Sequence, residues 1–122
     1  AYAKSREQFG QPIASHHLVQ DLLSRSLGNT TASIALCSRV SQMLDQGVQR
    51  DEHASLAKAF ATTAMRETVG LCRELLGGNG IVLDYDVARF HADAEALYSY
   101  EGTREMNSLI VGRAITGVGA FV

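Results

Sequence analysis

The chain has 122 residues, 46% of them apolar and 20% charged, with one proline and no tryptophan, the composition of an ordinary globular domain. That length allows one domain with a single contiguous core and no need of disulfide staples. Eleven basic residues against 13 acidic ones give a formal net charge of −2; with no block of like charge, nucleic acid is not expected as a partner. No apolar run approaches the roughly 20 residues that cross a bilayer, so no membrane insertion is expected. Cys37 and Cys72 lack C-x-x-C or His-flanked spacing, which predicts two reduced, largely buried thiols.

The chain starts without methionine, in what reads as the last turns of a helix. Residues 1–122 are therefore expected to be one domain excised from a longer protein. A turn over residues 8–12 follows, and Pro12 stops helix from extending back across it. From residue 15 to 47 Leu27, Thr30, Ile34, Cys37, Leu44 and Val48 recur at spacings of three, four or seven, one face of a long helix. Ser15 is placed to cap its start and Gly47 to end it. Asp51 is placed to cap a second long helix with the small-residue stripe Ala57, Ala61, Ala64, Thr68, Cys72 and Leu75. Small residues let neighbouring helices approach closely, as at the centre of a bundle. This helix ends at Gly77-Gly78. A shorter helix is predicted over about 86–97, a break near Tyr100-Glu101-Gly102, and a last helix capped by Thr103. No stretch alternates long enough for a convincing strand. The expected fold is all-α, an antiparallel bundle of about four helices with the two long ones at its centre.

Chemistry concentrates at three helix boundaries, where unpaired backbone N–H groups and glycines suit phosphate binding. They are residues 6–10, 74–80 and 100–103. Taken singly, each also reads as a plain helix stop or solvated turn. The Gly77-Gly78-Asn79-Gly80 run follows a helix, which excludes the Rossmann fingerprint. Glu101 stands between an aromatic ring and a glycine; an apolar wall there would raise its pKa and the glycine would admit a substrate carbonyl. His16 and His17 are adjacent, the wrong spacing for two ligands on one helix face, so no metal site is expected.

In order, Arg6-Glu7-Gln8-Phe9-Gly10-Gln11-Pro12-Ile13, Leu76-Gly77-Gly78-Asn79-Gly80-Ile81 and Tyr100-Glu101-Gly102-Thr103 resemble the C-terminal helical domain of the flavin-dependent acyl-CoA dehydrogenases. The ending Gly112-Arg113-Ala114-Ile115-Thr116-Gly117 is most similar to the glutaryl-CoA dehydrogenase branch. The resemblance implies a three-domain flavoenzyme that oxidises an acyl-CoA, glutaryl-CoA with decarboxylation among the candidates. Glu101 would remove the α-proton, its backbone N–H helping to polarise the thioester carbonyl. Tyr100 and Gly102 would line the acyl pocket. Arg6, Gln8, Phe9, Glu74, Gly77, Gly78, Thr103 and Glu105, with His17 and Phe121, would contact FAD, largely across a subunit interface. It further implies an electron-transferring flavoprotein as electron acceptor, a homodimer or homotetramer, and a bacterial cytoplasmic or mitochondrial-matrix setting.

The chain departs from the family pattern at Ala92, commonly arginine, at Glu74, often glutamine, and at Glu105, often glutamine or aspartate. An acid in place of an amide loses a donor and repels a pyrophosphate. The alternative readings are a helical oligomerisation module whose site has decayed, and a flavin oxidase or monooxygenase on the same scaffold.

Overall fold

A computed structural model describes residues 1–120. Helix α1 (Tyr2–Ser5) leads into a miniature hairpin of β1 (Glu7–Gln8) and β2 (Gln11–Pro12), antiparallel with Gln8 opposite Gln11. Its two turn residues, Phe9 and Gly10, both have positive φ, 56° and 77°, as a two-residue primed turn requires. A 3-10 turn, Ile13–Ser15, precedes α2 (His17–Asp45). Ser15 is not the cap of that helix: its hydroxyl donates back to the Pro12 carbonyl at 2.7 Å, and His16 occupies the cap position without a side-chain bond. Helix α3 (Asp51–Leu76), a 3-10 segment (Gly77–Ile81), α4 (Val87–Ser99) and α5 (Arg104–Thr116) complete the chain. The fold is all-α, with four long helices and a two-stranded ribbon as the sole sheet among the described residues.

Local chemistry explains most boundaries. Past α2, the Gly47 N–H reaches the Leu44 carbonyl and the Val48 N–H the Met43 carbonyl, with Gly47 at φ 68°. That pair of bonds is a Schellman ending. Asp51 is the first residue of α3, one position inside the expected cap, and His53 Nδ1 instead accepts the Arg50 N–H. Thr103 caps α5 as expected, its hydroxyl accepting from the Met106 N–H at 3.3 Å. Gly77 ends α3 at φ 59°, ψ −132°, a region open essentially to glycine alone. Gly80 is buried against the same helix, where an added Cβ would lie 2.5 Å from the Arg73 carbonyl oxygen.

Only α3 is central. Helices α2, α4 and α5 each pack on it and only weakly on one another, which corrects the expectation of two long helices at the centre. The buried apolar residues are Ala3, Ala57, Ala64, Leu71 and Ala94, so the small stripe of α3 does form the crowded axis. The expected face of α2 is wrong. Leu27, Ile34 and Leu44 are 67%, 62% and 64% exposed; the half-buried set is Val19, Leu22, Ser26, Asn29, Ser33, Leu36, Val40 and Met43, spaced alternately by three and four as in coiled-coil packing. Its middle members are small or polar, so hydrophobic periodicity favours the neighbouring stripe instead. Cys37 lies on the exposed side, contrary to expectation, while Cys72 is half-buried and burial raises its thiol pKa. On α5 the buried side chain is Asn107, which apolar periodicity passes over.

The contiguous core expected of this length is therefore thin. The accessible surface of 8236 Å² compares with roughly 6,400 Å² for a compact monomer of this mass. Cross-helix ties are polar: Glu67 on α3 accepts from Arg25 Nη2 at 2.8 Å and from Asn29 Nδ2 at 3.2 Å. Arg66 Nε donates to Glu95 on α4 at 2.7 Å and its guanidinium stacks over Tyr98. The Arg25 hydrogen bond, then that of Asn29, holds the Glu67 carboxyl below its ordinary pKa. Among the described residues no helix is long and apolar enough to cross a membrane.

Candidate functional site

The first two sequence clusters converge on one open groove of about 470 Å³. Arg6, Gln8 and Phe9 line it from the hairpin; Glu74, Gly77 and Gly78 line it from the end of α3. Asn79 also lines the groove, and its Nδ2 donates to the Tyr2 hydroxyl at 2.9 Å and to the Tyr85 hydroxyl at 3.3 Å. Tyr2 and Tyr85 stack edge-on at 5.6 Å. The 3-10 form of residues 77–81 thus aims one amide at α1, which leads into the hairpin, and at Tyr85 beyond the 3-10 segment.

Phe9 is 92% exposed although its backbone has φ 56°, a conformation costing a non-glycine residue roughly 1–2 kcal/mol. Its ring stands edge-on to His16 at 5.9 Å. His16 lines the groove, and its Nε2 is buried with no hydrogen-bond partner among the described residues. His17, the sequence candidate, is the exposed first residue of α2 and does not line the groove. The histidine in the groove is its neighbour, because the chain is still extended at residue 16 (φ −82°, ψ 135°) and turns helical one residue later.

The donor set suits an anionic dinucleotide. The Arg6 guanidinium has no carboxylate partner among the described residues, Phe9 offers an exposed ring, and Gly77 and Gly78 present a wall with nothing within 4 Å of an added Cβ. The unpartnered His16 Nε2 adds a buried polar atom for a ligand to satisfy. Glu74 is the member that fits an anion poorly.

The third cluster lies elsewhere. Tyr100, Glu101 and Gly102 form the bend between α4 and α5, with Glu101 at φ 53° and Gly102 at φ 86°. Glu101 is exposed, and among the described residues its carboxylate joins no ion pair. The apolar wall expected around it is absent among the described residues, where Glu101 is exposed. Tyr100 is 52% exposed, with Lys58 Nζ 5.7 Å from its ring centroid. Thr103 caps α5 and Glu105 stands in its first turn; Arg104 Nε donates to Glu105 at 3.3 Å, and backbone hydrogen bonding there lowers the Glu105 pKa. Ala92 is exposed on α4. Phe121 lies outside the described residues.

Two residues that the sequence reading did not single out hold this bend. Lys58 Nζ donates to three successive carbonyls, those of Tyr100, Glu101 (2.8 Å) and Gly102 (2.7 Å). Asn107 Nδ2 donates to the Gly102 and Thr103 carbonyls, each at 2.9 Å. A lysine within a stripe of alanines was the available signal for the first. Lys58 and Glu74 are 16 residues apart on one helix, so the bend and the groove stand about 24 Å apart along α3.

A helical domain with an anion-ready groove at one end of its central helix and a strained glutamate bend near the other matches the family model for the C-terminal domain of acyl-CoA dehydrogenases over residues 1–116. The chain belongs to that family. Glutaryl-CoA dehydrogenase from Mycobacterium smegmatis superposes with a TM-score of 0.96 at 37% identity, over 99% of this chain and 31% of that one. A structure of a glutaryl-CoA dehydrogenase from the same organism in complex with FADH2 gives 0.95 at 34% identity, again over 99% of this chain and 31% of that one. Cyclohexane-1-carbonyl-CoA dehydrogenase from Geobacter metallireducens is 30% identical over 93% of this chain and 30% of its own length. The chain thus spans about a third of the length of these relatives.

Proposed function

We propose that this domain is the C-terminal part of an FAD-dependent acyl-CoA dehydrogenase and that Glu101 is the base removing the substrate's α-proton. The observation that carries the reading is the Glu101 backbone: a non-glycine residue at φ 53° in an exposed bend, tied by hydrogen bonds to its own and both adjacent carbonyls. Such strain persists where the surroundings enforce it, and function is a common reason.

The chemistry follows from acidity. An α-C–H beside a thioester is a weak acid until the carbonyl oxygen is polarised, so the base and a donor to that oxygen must act together. Glu101 supplies the carboxylate and its own N–H the donor. FAD, when bound, supplies the acceptor for the hydride that leaves the β-carbon, so the α-proton goes to Glu101 and a C=C bond forms. Tyr100 and Gly102 flank the acyl chain. Arg6, Gln8, Phe9, Gly77 and Gly78 hold the pyrophosphate and adenosine, with Thr103 and Glu105 as a further contact and His16 in the groove where His17 was expected.

Because bend and groove are about 24 Å apart on one helix, the groove and the base need not serve the same flavin. The arrangement supports an oligomer, dimer or tetramer, in which the groove takes the nucleotide end of a flavin whose reactive ring lies in another subunit. The uncovered stripe of Leu27, Ile34 and Leu44 is surface for such contacts or for the other domains. Glutaryl-CoA, with decarboxylation after dehydrogenation, is the first candidate substrate on the strength of the glutaryl-CoA dehydrogenase likeness. An electron-transferring flavoprotein is the natural acceptor of the electrons.

The test uses the full-length protein. Purified material should carry a visible flavin band that bleaches anaerobically with at least one member of an acyl-CoA series varied in length and terminal charge. Protein that holds no flavin, or flavin that no thioester bleaches, overturns the reading.

A further inference from the structure

The three carbonyls that Lys58 holds have a consequence on the other side of the bend. The peptide bonds of the described residues are trans, and in a planar trans peptide the C=O and the following N–H point in opposite directions. Fixing the Tyr100 carbonyl on the ammonium of α3 therefore turns the Glu101 N–H away from α3. The Glu101 and Gly102 carbonyls do the same for the N–H groups of Gly102 and Thr103. A donor on the oxygen side of an amide also polarises it, which strengthens its N–H as a donor in turn. The ammonium has three protons, and each has a carbonyl.

From this geometry we infer that Lys58 is a positioning residue: acting through the 100–101 peptide, it aims and polarises the Glu101 N–H that binds the substrate's thioester carbonyl. The inference rests on the proposed role of Glu101. Two features support a role at this bend over general bundle stability. Among the described residues Lys58 donates only to the strained segment, and Asn107, 8% exposed, shares the Gly102 carbonyl and holds that of Thr103. Without Lys58, the carbonyls of residues 100–102 would lose their donor on α3, and the positive φ of Glu101 would relax. Arginine is no substitute. Its donors lie in one plane, whereas three carbonyls converging on a point need a compact ammonium.

The test uses full-length holoenzyme and two readouts. In the first, K58M slows flavin bleaching per bound flavin by about 10- to 100-fold, as a misaimed catalytic group does. The acyl-CoA dissociation constant moves far less, by about threefold. In the second, an acyl-CoA labelled with 13C at the thioester carbonyl is bound to E101Q holoenzyme and its C=O stretch is recorded by difference infrared spectroscopy. The downshift from solution is expected in E101Q and to fall by about half or more in E101Q/K58M, a change that lost bundle stability would not produce. A full downshift with K58M, or an unchanged bleaching rate, overturns the inference. Should the K58M protein not hold flavin, K58R decides: a reduced downshift supports the inference and an unchanged one overturns it. Failure of the underlying reading looks different, because E101Q alone would then bleach at the unsubstituted rate whatever stands at position 58.

Discussion

The ring of Phe9 stands edge-on to that of His16, centroids 5.9 Å apart and planes at 88°, so a strained turn residue and a half-buried imidazole, its Nε2 buried without a partner among the described residues, form one wall of the groove. Strain and exposure at the same residue separate stability from binding. Phe9→Gly should relieve the positive φ and raise stability by roughly 1 kcal/mol, read as a higher urea midpoint of the full-length protein. The same change should weaken flavin retention by about 3- to 10-fold, through loss of the aromatic surface. Both properties moving down together would contradict a ligand-facing role for the ring.

Glu74 sits in the groove with Arg6 and brings a negative charge to a surface that otherwise suits an anion. Glu74→Gln should tighten flavin binding by about 3- to 10-fold, since it removes repulsion and restores a donor. Titration of apoprotein with FAD, followed by flavin fluorescence, checks it. A weaker Kd in the variant would mean that Glu74 accepts a hydrogen bond from the cofactor.

Glu67 ties α2 to α3 with its carboxyl below the ordinary pKa of 4.5, chiefly through Arg25. A carboxylate whose folded pKa is depressed contributes stability above its unfolded pKa and loses it as pH falls through the folded value. The thermal midpoint of the unsubstituted protein should therefore exceed that of Glu67→Gln at pH 7, and the difference should shrink steadily below about pH 4.5. Both side chains are about half exposed, so high salt should narrow the gap as well. A gap independent of pH from 7 to 3 would place the contribution in packing rather than charge.

The helices, their glycine endings, the Thr103 cap and the small-residue axis of α3 were legible because each is a local rule acting on neighbouring residues. The packing face of α2 was not. Ser26, Asn29 and Ser33 lie on it: Asn29 reaches Glu67 on α3 at 3.2 Å, and Ser26 satisfies its hydroxyl on the Leu22 carbonyl at 2.7 Å within its own helix. Hydrophobic periodicity instead finds Leu27, Ile34 and Leu44, the stripe left uncovered in this chain. At the site, Arg6, Gln8, Phe9, Glu74, Gly77 and Gly78 could be grouped by motif, and the structure brings them together. Lys58 and Asn107 reach the Glu101 bend from 43 residues before it and from the following helix; no spacing rule connects them.

The central claim is that the Glu101 carboxylate takes the α-proton. Its most direct measurement is anaerobic stopped-flow bleaching of the flavin in full-length Glu101→Gln by an acyl-CoA that bleaches the unsubstituted enzyme. Flavin content should be unchanged and the bleaching rate should drop by about 10²- to 10⁴-fold, the contribution of a general base. Bleaching at the unsubstituted rate in a variant that retains its flavin would show that another group removes the proton.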